Sequence, residues 1–282
     1  MNTAQGLTVS TKAGTPPAAA RWSLVKRLTF REIGAKYKGS VLGVLWSLVT
    51  PLLLLAVYAF VFGQVFGARW GPAGTAGGAG GPPLGQYAIV LFVGLTTFQL
   101  FSEAVTRAPT VIAGHKNFVK KVVFPLEVLP LVLVGTALFQ YTVSLAVILV
   151  AVMVSAGGLH PHVLWLPVIL APFLVLLTGL CWVLAALGPY LRDIAQVVGT
   201  AVSALLFLSP VFYSRESLPE PGRSLFLLNP LTVPVEESRK VLLWGQAPDP
   251  VALCAYGFVA LVIAAAGYLL FNTVRRGFAD VV

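Results

Sequence analysis

The sequence predicts an all-α integral membrane protein with six transmembrane helices, an N-terminal interfacial amphipathic helix, and short re-entrant helices between spans five and six. Of its 282 residues, 57% are hydrophobic and only 10% are charged, and the mean hydropathy is +0.88. A soluble domain carries about 25% charged residues, so this composition is typical of a membrane protein. The net charge of +9 does not indicate a nucleic-acid partner, because seven of the 19 basic residues precede Val41 and most others lie in short breaks between apolar runs.

The N-terminal region divides into a polar tail and a basic helix. Residues 1–20 are polar and predict a disordered cytoplasmic tail, without the apolar segment of a cleaved signal peptide. Residues 21–40 interleave six basic side chains with Trp22 and aliphatic residues. This pattern predicts an interfacial helix on the anionic cytoplasmic leaflet. The alternative is a solvated basic flank that only fixes the orientation of the chain.

The transmembrane domain is predicted over residues 41–275. A helix of about 20 apolar residues is needed to cross a bilayer core. Six runs meet this length: about 41–66, 87–107, 125–154, 163–190, 194–213 and 250–273.

The distribution of Lys and Arg predicts the topology of these spans. The N-terminus, the breaks at 107–124 and 191–193, and the C-terminus together hold 14 of them, whereas the remaining breaks hold five. Because basic residues are retained on the cytoplasmic side, both termini are expected in the cytoplasm.

The segment 214–245 is unusual for a loop, because it combines four prolines and four carboxylates with Phe226, Trp244 and aliphatic residues. It is too short for a soluble core and too apolar for an idle linker. We therefore predict two short re-entrant helices that are separated at Asn229-Pro230. Irregular backbone at membrane depth is tolerated only against protein or a water-filled cavity, which indicates a transport pathway. The charges from Glu236 to Lys240 are interpreted as a helix face near lipid headgroups.

Several kinds of chemistry are not expected in this chain. No stretch matches the phosphate-binding pattern Gly-x-x-x-x-Gly-Lys-Ser/Thr, so the chain is not expected to hydrolyse ATP. No carboxylate pair or His/Cys cluster has catalytic or metal-binding spacing, and neither a cofactor nor a metal is predicted. Cys181 and Cys254 lie within apolar runs and are interpreted as core residues.

Polar and aromatic residues share one helical face in each of three predicted spans, and these faces are candidates for a substrate path. A sugar chain offers hydroxyls for hydrogen bonds and C–H faces that stack on aromatic rings. The alternative for the hydroxyl residues is helix–helix contact, whereas a carboxylate such as Glu103 is costly in a span unless it faces water or a partner. The candidates are Ser47, Thr50 and Tyr58 in span one, Phe92, Thr96, Gln99 and Glu103 in span two, and Gln196, Thr200, Ser203 and Phe207 in span five.

Four groups of motifs occur in order along the chain and together resemble the Wzm-like permeases of polysaccharide-exporting ABC transporters. They are Tyr37–Gly43 with Trp46 and Pro51, Val119–Pro125 with Glu127 and Pro130, Tyr190–Asp193, and Leu208–Tyr213 with Asn229-Pro230 and Glu236–Arg239.

This resemblance implies an ABC-2 type permease in the bacterial inner membrane that forms one half of a homodimeric channel. Two copies of a separate nucleotide-binding subunit would bind ATP and Mg and drive transport. The cargo would be a lipid-linked O-antigen, capsule or teichoic-acid-like glycan, moved outward from the cytoplasmic side, as in lipopolysaccharide biosynthesis. The alternatives are an ABC drug or lipid exporter permease and a membrane-embedded glycosyltransferase.

Two further sites follow from the exporter hypothesis. Short basic cytoplasmic segments are expected to seat in the ATPase subunit, and the residues are His115, Lys116, Asn117, Lys120 and Lys121, with Arg192 and Asp193 in the next cytoplasmic break. An open pore wide enough for a glycan would leak ions, so aromatic residues are expected to close it in the resting state. The gate candidates are Tyr58, Phe207, Phe212 and Tyr213.

Overall fold

The computed structural model describes residues 18–61, 84–115, 124–191, 193–213 and 226–278, and every regular element in these ranges is helical. The α-helices are α1 (Ala18–Tyr37), α2 (Trp46–Tyr58), α3 (Leu84–Arg107), α4 (Val111–Gly114), α5 (Val128–Ala156), α6 (Leu166–Leu187), α7 (Ile194–Leu208), α8 (Thr232–Leu243) and α9 (Pro250–Val274). Short 3-10 helices cover Gly43–Leu45, Ala108–Thr110, Pro161–Trp165, Phe226–Leu228 and Arg275–Gly277. The predicted all-α class is confirmed.

Within the described ranges, five helical segments are long and apolar enough to cross a bilayer. They are Gly43–Val61, Tyr87–Gly114, Val128–Ser155, Pro161–Leu187 and Pro250–Gly277. The remaining predicted span, 194–213, contains α7, which has only 15 residues. That length corresponds to about 22 Å, less than the thickness of a bilayer core of about 30 Å.

Helix α7 ends where its sequence stops a helix. Pro210 has no amide hydrogen, and a residue that precedes proline is disfavoured in the helical region. Ser209 accordingly adopts an extended conformation, with φ −103° and ψ 154°. Hydropathy alone continues to Tyr213, so the apolar run is longer than the helix that it forms.

Helix α3 lies at the centre of the bundle and contacts α2, α5, α6, α7 and α8. Its buried residues form the largest apolar cluster together with those of α5 and α6. Helix α9 packs on α6 through small residues, because a Cβ at Gly179 would lie 2.7 Å from the Ala264 Cα. Such close backbone approach is typical of helix pairs in membranes. Cys181 is buried as predicted, whereas Cys254 on α9 is exposed in the single chain, which corrects its interpretation as a core residue.

The N-terminal helix α1 is docked against the start of α5. Val25 and Leu28 pack on Val128 and Val132. At the far end of α1, the Tyr37 hydroxyl donates a hydrogen bond of 3.0 Å to Gln140 Oε1. The basic segment is therefore a packed helix. Residues 1–17, which include most of the predicted disordered tail, lie outside the described residues.

Ion pairs gather the N-terminal helix, the α3–α5 region and the C-terminal end at one end of the bundle. Glu127 pairs with Arg21 at 3.5 Å and with Arg275 at 3.2 Å. Lys36 lies 2.8 Å from Glu103, and Arg107, which begins the 107–124 break, lies 3.5 Å from Glu32. The structure thus places together three of the basic regions that the sequence assigns to the cytoplasm, and we call this the ion-pair end.

Candidate functional site

The predicted face of α7 forms an uninterrupted exposed strip. Gln196, Thr200, Ser203 and Phe207 are all exposed, whereas Val198 and Val202 on the opposite side are buried in the core. The Thr200 and Ser203 hydroxyls donate to carbonyls four residues earlier in the same helix. Their oxygen lone pairs remain able to accept hydrogen bonds. The strip can therefore present acceptors and an aromatic ring to a ligand.

The predicted faces of α2 and α3 are divided between core and surface. Phe92 and Thr96 are buried within the protomer, and Gln99 is exposed. The Glu103 side chain is only 10% exposed and is paired with Lys36 of α1. In the first span, Ser47 is buried and donates to the Val44 carbonyl, Thr50 is exposed, and Tyr58 is half-buried against the main core.

The backbone that follows α7 is the most highly connected part of the site. We call residues 207–212 the carbonyl turn, because each of its six carbonyl oxygens accepts a hydrogen bond. The Tyr213 hydroxyl donates to the Phe207 carbonyl, Asn229 Nδ2 to Leu208, and the Val211 N–H to Ser209. Arg239 donates to Pro210 through Nη1 and to Val211 through Nη2, and the Tyr87 hydroxyl donates to Phe212.

This arrangement meets a strict physical requirement. The last four carbonyls of a helix have no partner within it, the carbonyls of the non-helical backbone that follows have none either, and a buried carbonyl without a partner is costly. Side chains from α3, α8 and the segment around Asn229 supply the missing donors. Non-helical backbone is tolerated within a membrane where protein satisfies it in this way.

Arg239 makes the central contacts of the carbonyl turn. Its side chain is 1% exposed, and its guanidinium donates to Val90 at 3.1 Å, Pro210 at 2.5 Å and Val211 at 2.7 Å. The three carbonyl acceptors and the nearby Glu236 carboxylate offset the cost of burying this charge. The guanidinium therefore stays positively charged at neutral pH.

A glycine on α3 makes space for this guanidinium. A Cβ at Gly94 would lie 2.5 Å from Arg239 Nη2 and 3.4 Å from the Val211 Cα. Carbon and nitrogen atoms in contact normally stay about 3.5 Å or more apart, so a larger residue at position 94 would require the guanidinium to move.

The interpretation of Glu236–Lys240 as a charged face near lipid headgroups is wrong for its central members. Glu237 is 3% exposed, and it accepts a hydrogen bond of 2.9 Å from the Asp249 backbone N–H as well as a contact of 2.6 Å from Lys240. With Arg239 it is held inside the protein. A signal was present in the sequence, because Val235, Arg239 and Leu242 recur at helical spacing and so share one buried face.

Asn229-Pro230 separates two short helices, Phe226–Leu228 and α8. Asn229 Nδ2 donates to the Leu208 carbonyl at 2.9 Å, and its Oδ1 accepts from the Leu231 N–H at 2.9 Å. The motif after α7 and the Asn-Pro motif are therefore directly bonded, through Leu208 and Asn229, which are 21 positions apart in sequence. Residues 214–225 of the predicted re-entrant segment lie outside the described residues.

Three of the four gate candidates cluster at the carbonyl turn. The Phe207 and Phe212 rings stack with centroids 6.0 Å apart and an angle of 24° between their planes. Tyr213 packs edge-on against Phe226 at 5.7 Å. Phe207 is 67% exposed in the single chain, so one face of this cluster is uncovered.

The predicted ATPase-coupling residues fall largely outside the described residues, since Lys116, Asn117, Lys120, Lys121 and Arg192 are all beyond them. His115 follows α4 at the ion-pair end, where its Nε2 lies 3.6 Å from Glu32. Asp193 is exposed and immediately precedes α7. In the described part of the chain, no group of His, Cys, Asp and Glu side chains could hold a metal ion.

Comparison with known proteins gives a consistent result. The pattern of the ABC-2 type transporter family matches residues 23–243. An O-antigen export system permease from Myxococcus xanthus is 29% identical over 259 residues, covering 91% of this chain and 94% of that protein. An O-antigen export system permease from Klebsiella pneumoniae is 24% identical, with coverages of 92% and 95%. A polysialic acid transport protein from Escherichia coli is 23% identical, with coverages of 88% and 92%.

Proposed function

This chain belongs to the ABC-2 type transporter family, and we propose that it is the channel-forming permease of an exporter for a lipid-linked cell-surface polysaccharide. The glycan would be of the O-antigen or capsule type and would cross the inner membrane from the cytoplasmic side. The observation that carries this cargo is the match over 88–92% of the chain to permeases named for O-antigen export or polysialic acid transport. As a transporter permease, the chain is not itself an enzyme.

The exposed strip on α7 supports a glycan as cargo. Gln196, Thr200 and Ser203 lead along the helix to the stacked pair Phe207 and Phe212. Polar side chains can exchange hydrogen bonds with sugar hydroxyls as the chain advances, and aromatic rings can stack on the C–H faces. No strong charge lies on this strip to hold one sugar residue in place.

We propose that a second copy of the chain completes the channel. In the single protomer, α7 also exposes Val197, Phe207 and Leu208, and the last two of these begin the carbonyl turn. Two protomers with their α7 strips facing each other would enclose a path and cover these apolar side chains. In this arrangement α7 and the carbonyl turn together form span five, with the Phe226–Leu228 helix and α8 re-entering the membrane from the external side.

The energy for transport would come from two ATPase subunits, which would bind ATP and Mg themselves and dock at the ion-pair end of this chain. The ion-pair end would then face the cytoplasm, as the 14-to-five distribution of basic residues predicts. His115–Lys121 would dock in each ATPase subunit, and Glu32 contacts both His115 and Arg107. A movement of the docked segment would thus be transmitted to α1 and α3 through the ion pairs of Glu32.

Deletion of the gene tests this function in cells. An exporter predicts that the lipid-linked glycan is still synthesised, accumulates inside the inner membrane, and is lost from the cell surface. If the glycan is no longer made, a glycosyltransferase is indicated instead. If the surface glycan is unchanged, the cargo is a different compound, such as a drug or a lipid.

A further inference from the structure

The stacked pair Phe207 and Phe212 is held in place by backbone contacts. Pro210 and Val211 lie between the two rings in sequence, and both of their carbonyls are bound by one guanidinium. The same guanidinium also reaches the Val90 carbonyl on α3. One side chain therefore connects the end of α7 to the central helix of the bundle.

Arginine is suited to this task for geometric reasons. Its planar guanidinium presents donors in a fixed fork, so one group can serve several carbonyls at once. A lysine would carry the same charge on a compact ammonium with a different geometry. Burying a charge is costly unless its hydrogen bonds are satisfied, so the position of Arg239 is strongly constrained by its carbonyl partners.

We propose that Arg239 is a positioning residue for the gate: it fixes the Phe207–Phe212 pair by holding the backbone between the two rings against Val90 and Gly94 of α3. This inference rests on the proposed export function, in which the aromatic pair closes the empty channel. The guanidinium does not touch the cargo and acts through the carbonyls. Consequently the α7 end, α8 and the adjoining part of α3 move as one unit during transport.

Helix α8 supplies a matched control on the same short element. Glu237 is as deeply buried as Arg239, but it binds the Asp249 N–H and Lys240 instead of the carbonyl turn. Glu237→Gln therefore weakens the attachment of α8 to the start of α9 and leaves the six carbonyls of the turn bonded. A role for Arg239 in general stability predicts similar behaviour for both substitutions, whereas a role in positioning the gate does not.

The test measures ion leakage from liposomes that contain the assembled permease–ATPase complex, without nucleotide and without glycan. Arg239→Lys should raise the leak by about tenfold, because free-energy changes of the size of one charge-assisted hydrogen bond shift a two-state population by that factor. Glu237→Gln should stay as tight as the unsubstituted protein. If Arg239→Lys complexes assemble and remain tight, or if both variants leak equally, the proposal is wrong.

A second measurement tests whether Arg239 acts through the aromatic pair. Phe207→Ala should leak, and adding Arg239→Lys should increase that leak little, since the same seal is already lost. A tight Phe207→Ala variant, or additive leaks, would overturn the mechanism.

If Arg239→Lys complexes do not assemble, Gly94→Ala perturbs the same contact from α3 with Arg239 intact. Surface glycan in cells carrying each variant reports the export function separately from the leak.

Discussion

Replacing Gly94 with alanine should displace the guanidinium of Arg239 from the carbonyl turn. The added methyl group would lie 2.5 Å from Nη2, 3.3 Å from Cζ and 3.4 Å from the Val211 Cα. The Val211 backbone cannot easily withdraw, because Val211 is fully buried and the nearby carbonyls of Leu208 and Phe212 are held by Asn229 and Tyr87. The guanidinium must therefore move and give up one or more of its bonds.

The energetic cost follows from these contacts. A hydrogen bond to a charged group contributes about 1.5–3 kcal/mol, and a buried carbonyl left without a donor adds to the loss. The gain in helix propensity from glycine to alanine is only about 1 kcal/mol. We therefore expect a net destabilisation of about 2–4 kcal/mol, together with a rise in ion leakage.

Thermal unfolding of the purified complex in detergent measures the first effect, and liposome leakage measures the second. Gly257→Ala on α9 is the matched control, because its new Cβ would meet only Pro172 Cβ at an ordinary 3.7 Å. The control should be as stable as the unsubstituted protein, or slightly more stable. If Gly94→Ala also retains full stability and a channel that does not leak, the close packing of Arg239 against Gly94 does not exist as described.

Three other variants test separate contacts. Glu127→Gln removes the buried partner of two arginines and should cost about 1–3 kcal/mol of unfolding free energy in chemical denaturation, where no change would contradict the pairing. Asn229→Ala leaves the Leu208 carbonyl without its donor and should lower the thermal unfolding midpoint by an amount equivalent to about 1–3 kcal/mol, so an unaltered midpoint counts against that bond. Lys120→Glu combined with Lys121→Glu should abolish co-purification of the ATPase subunit through like-charge repulsion, and intact assembly would remove this segment from the docking interface.

The helical architecture could be predicted from sequence because its cause is local. A long apolar run must satisfy its backbone internally in a membrane, so each run becomes a helix whatever its neighbours are. The end of α7 shows the limit of this reasoning. Hydropathy counts the apolar residues up to Tyr213, but Pro210 ends the helix earlier, and the freed carbonyls then require donors from elsewhere.

Those donors could not be identified from spacing alone. Arg239 lies 28 residues from Val211 and 149 from Val90 in sequence. The run of charges from Glu236 to Lys240 predicts a helix face near lipid headgroups, which places Arg239 and Glu237 at the surface. The burial of Arg239 depends on three carbonyls and one glycine that only the fold brings together.

The candidate substrate path also shows what helical spacing can and cannot predict. Helical spacing identifies which residues share a face, but it does not specify what that face meets. The α7 strip is exposed as a unit. On α3, by contrast, Phe92 and Thr96 are buried in the protomer, since this central helix is surrounded by other helices. The roles of these residues along the path stay predictions.

The most direct test of the account is glycan translocation in a defined system. The chain is purified with its ATPase subunit, reconstituted in liposomes that contain the lipid-linked glycan, and probed with a lectin confined to the side opposite the ATPase. We predict that the lectin signal rises only with ATP and Mg, and that an ATPase subunit unable to hydrolyse ATP abolishes the rise. ATP hydrolysis without lectin-accessible glycan, in complexes that assemble fully, would contradict polysaccharide export by this permease.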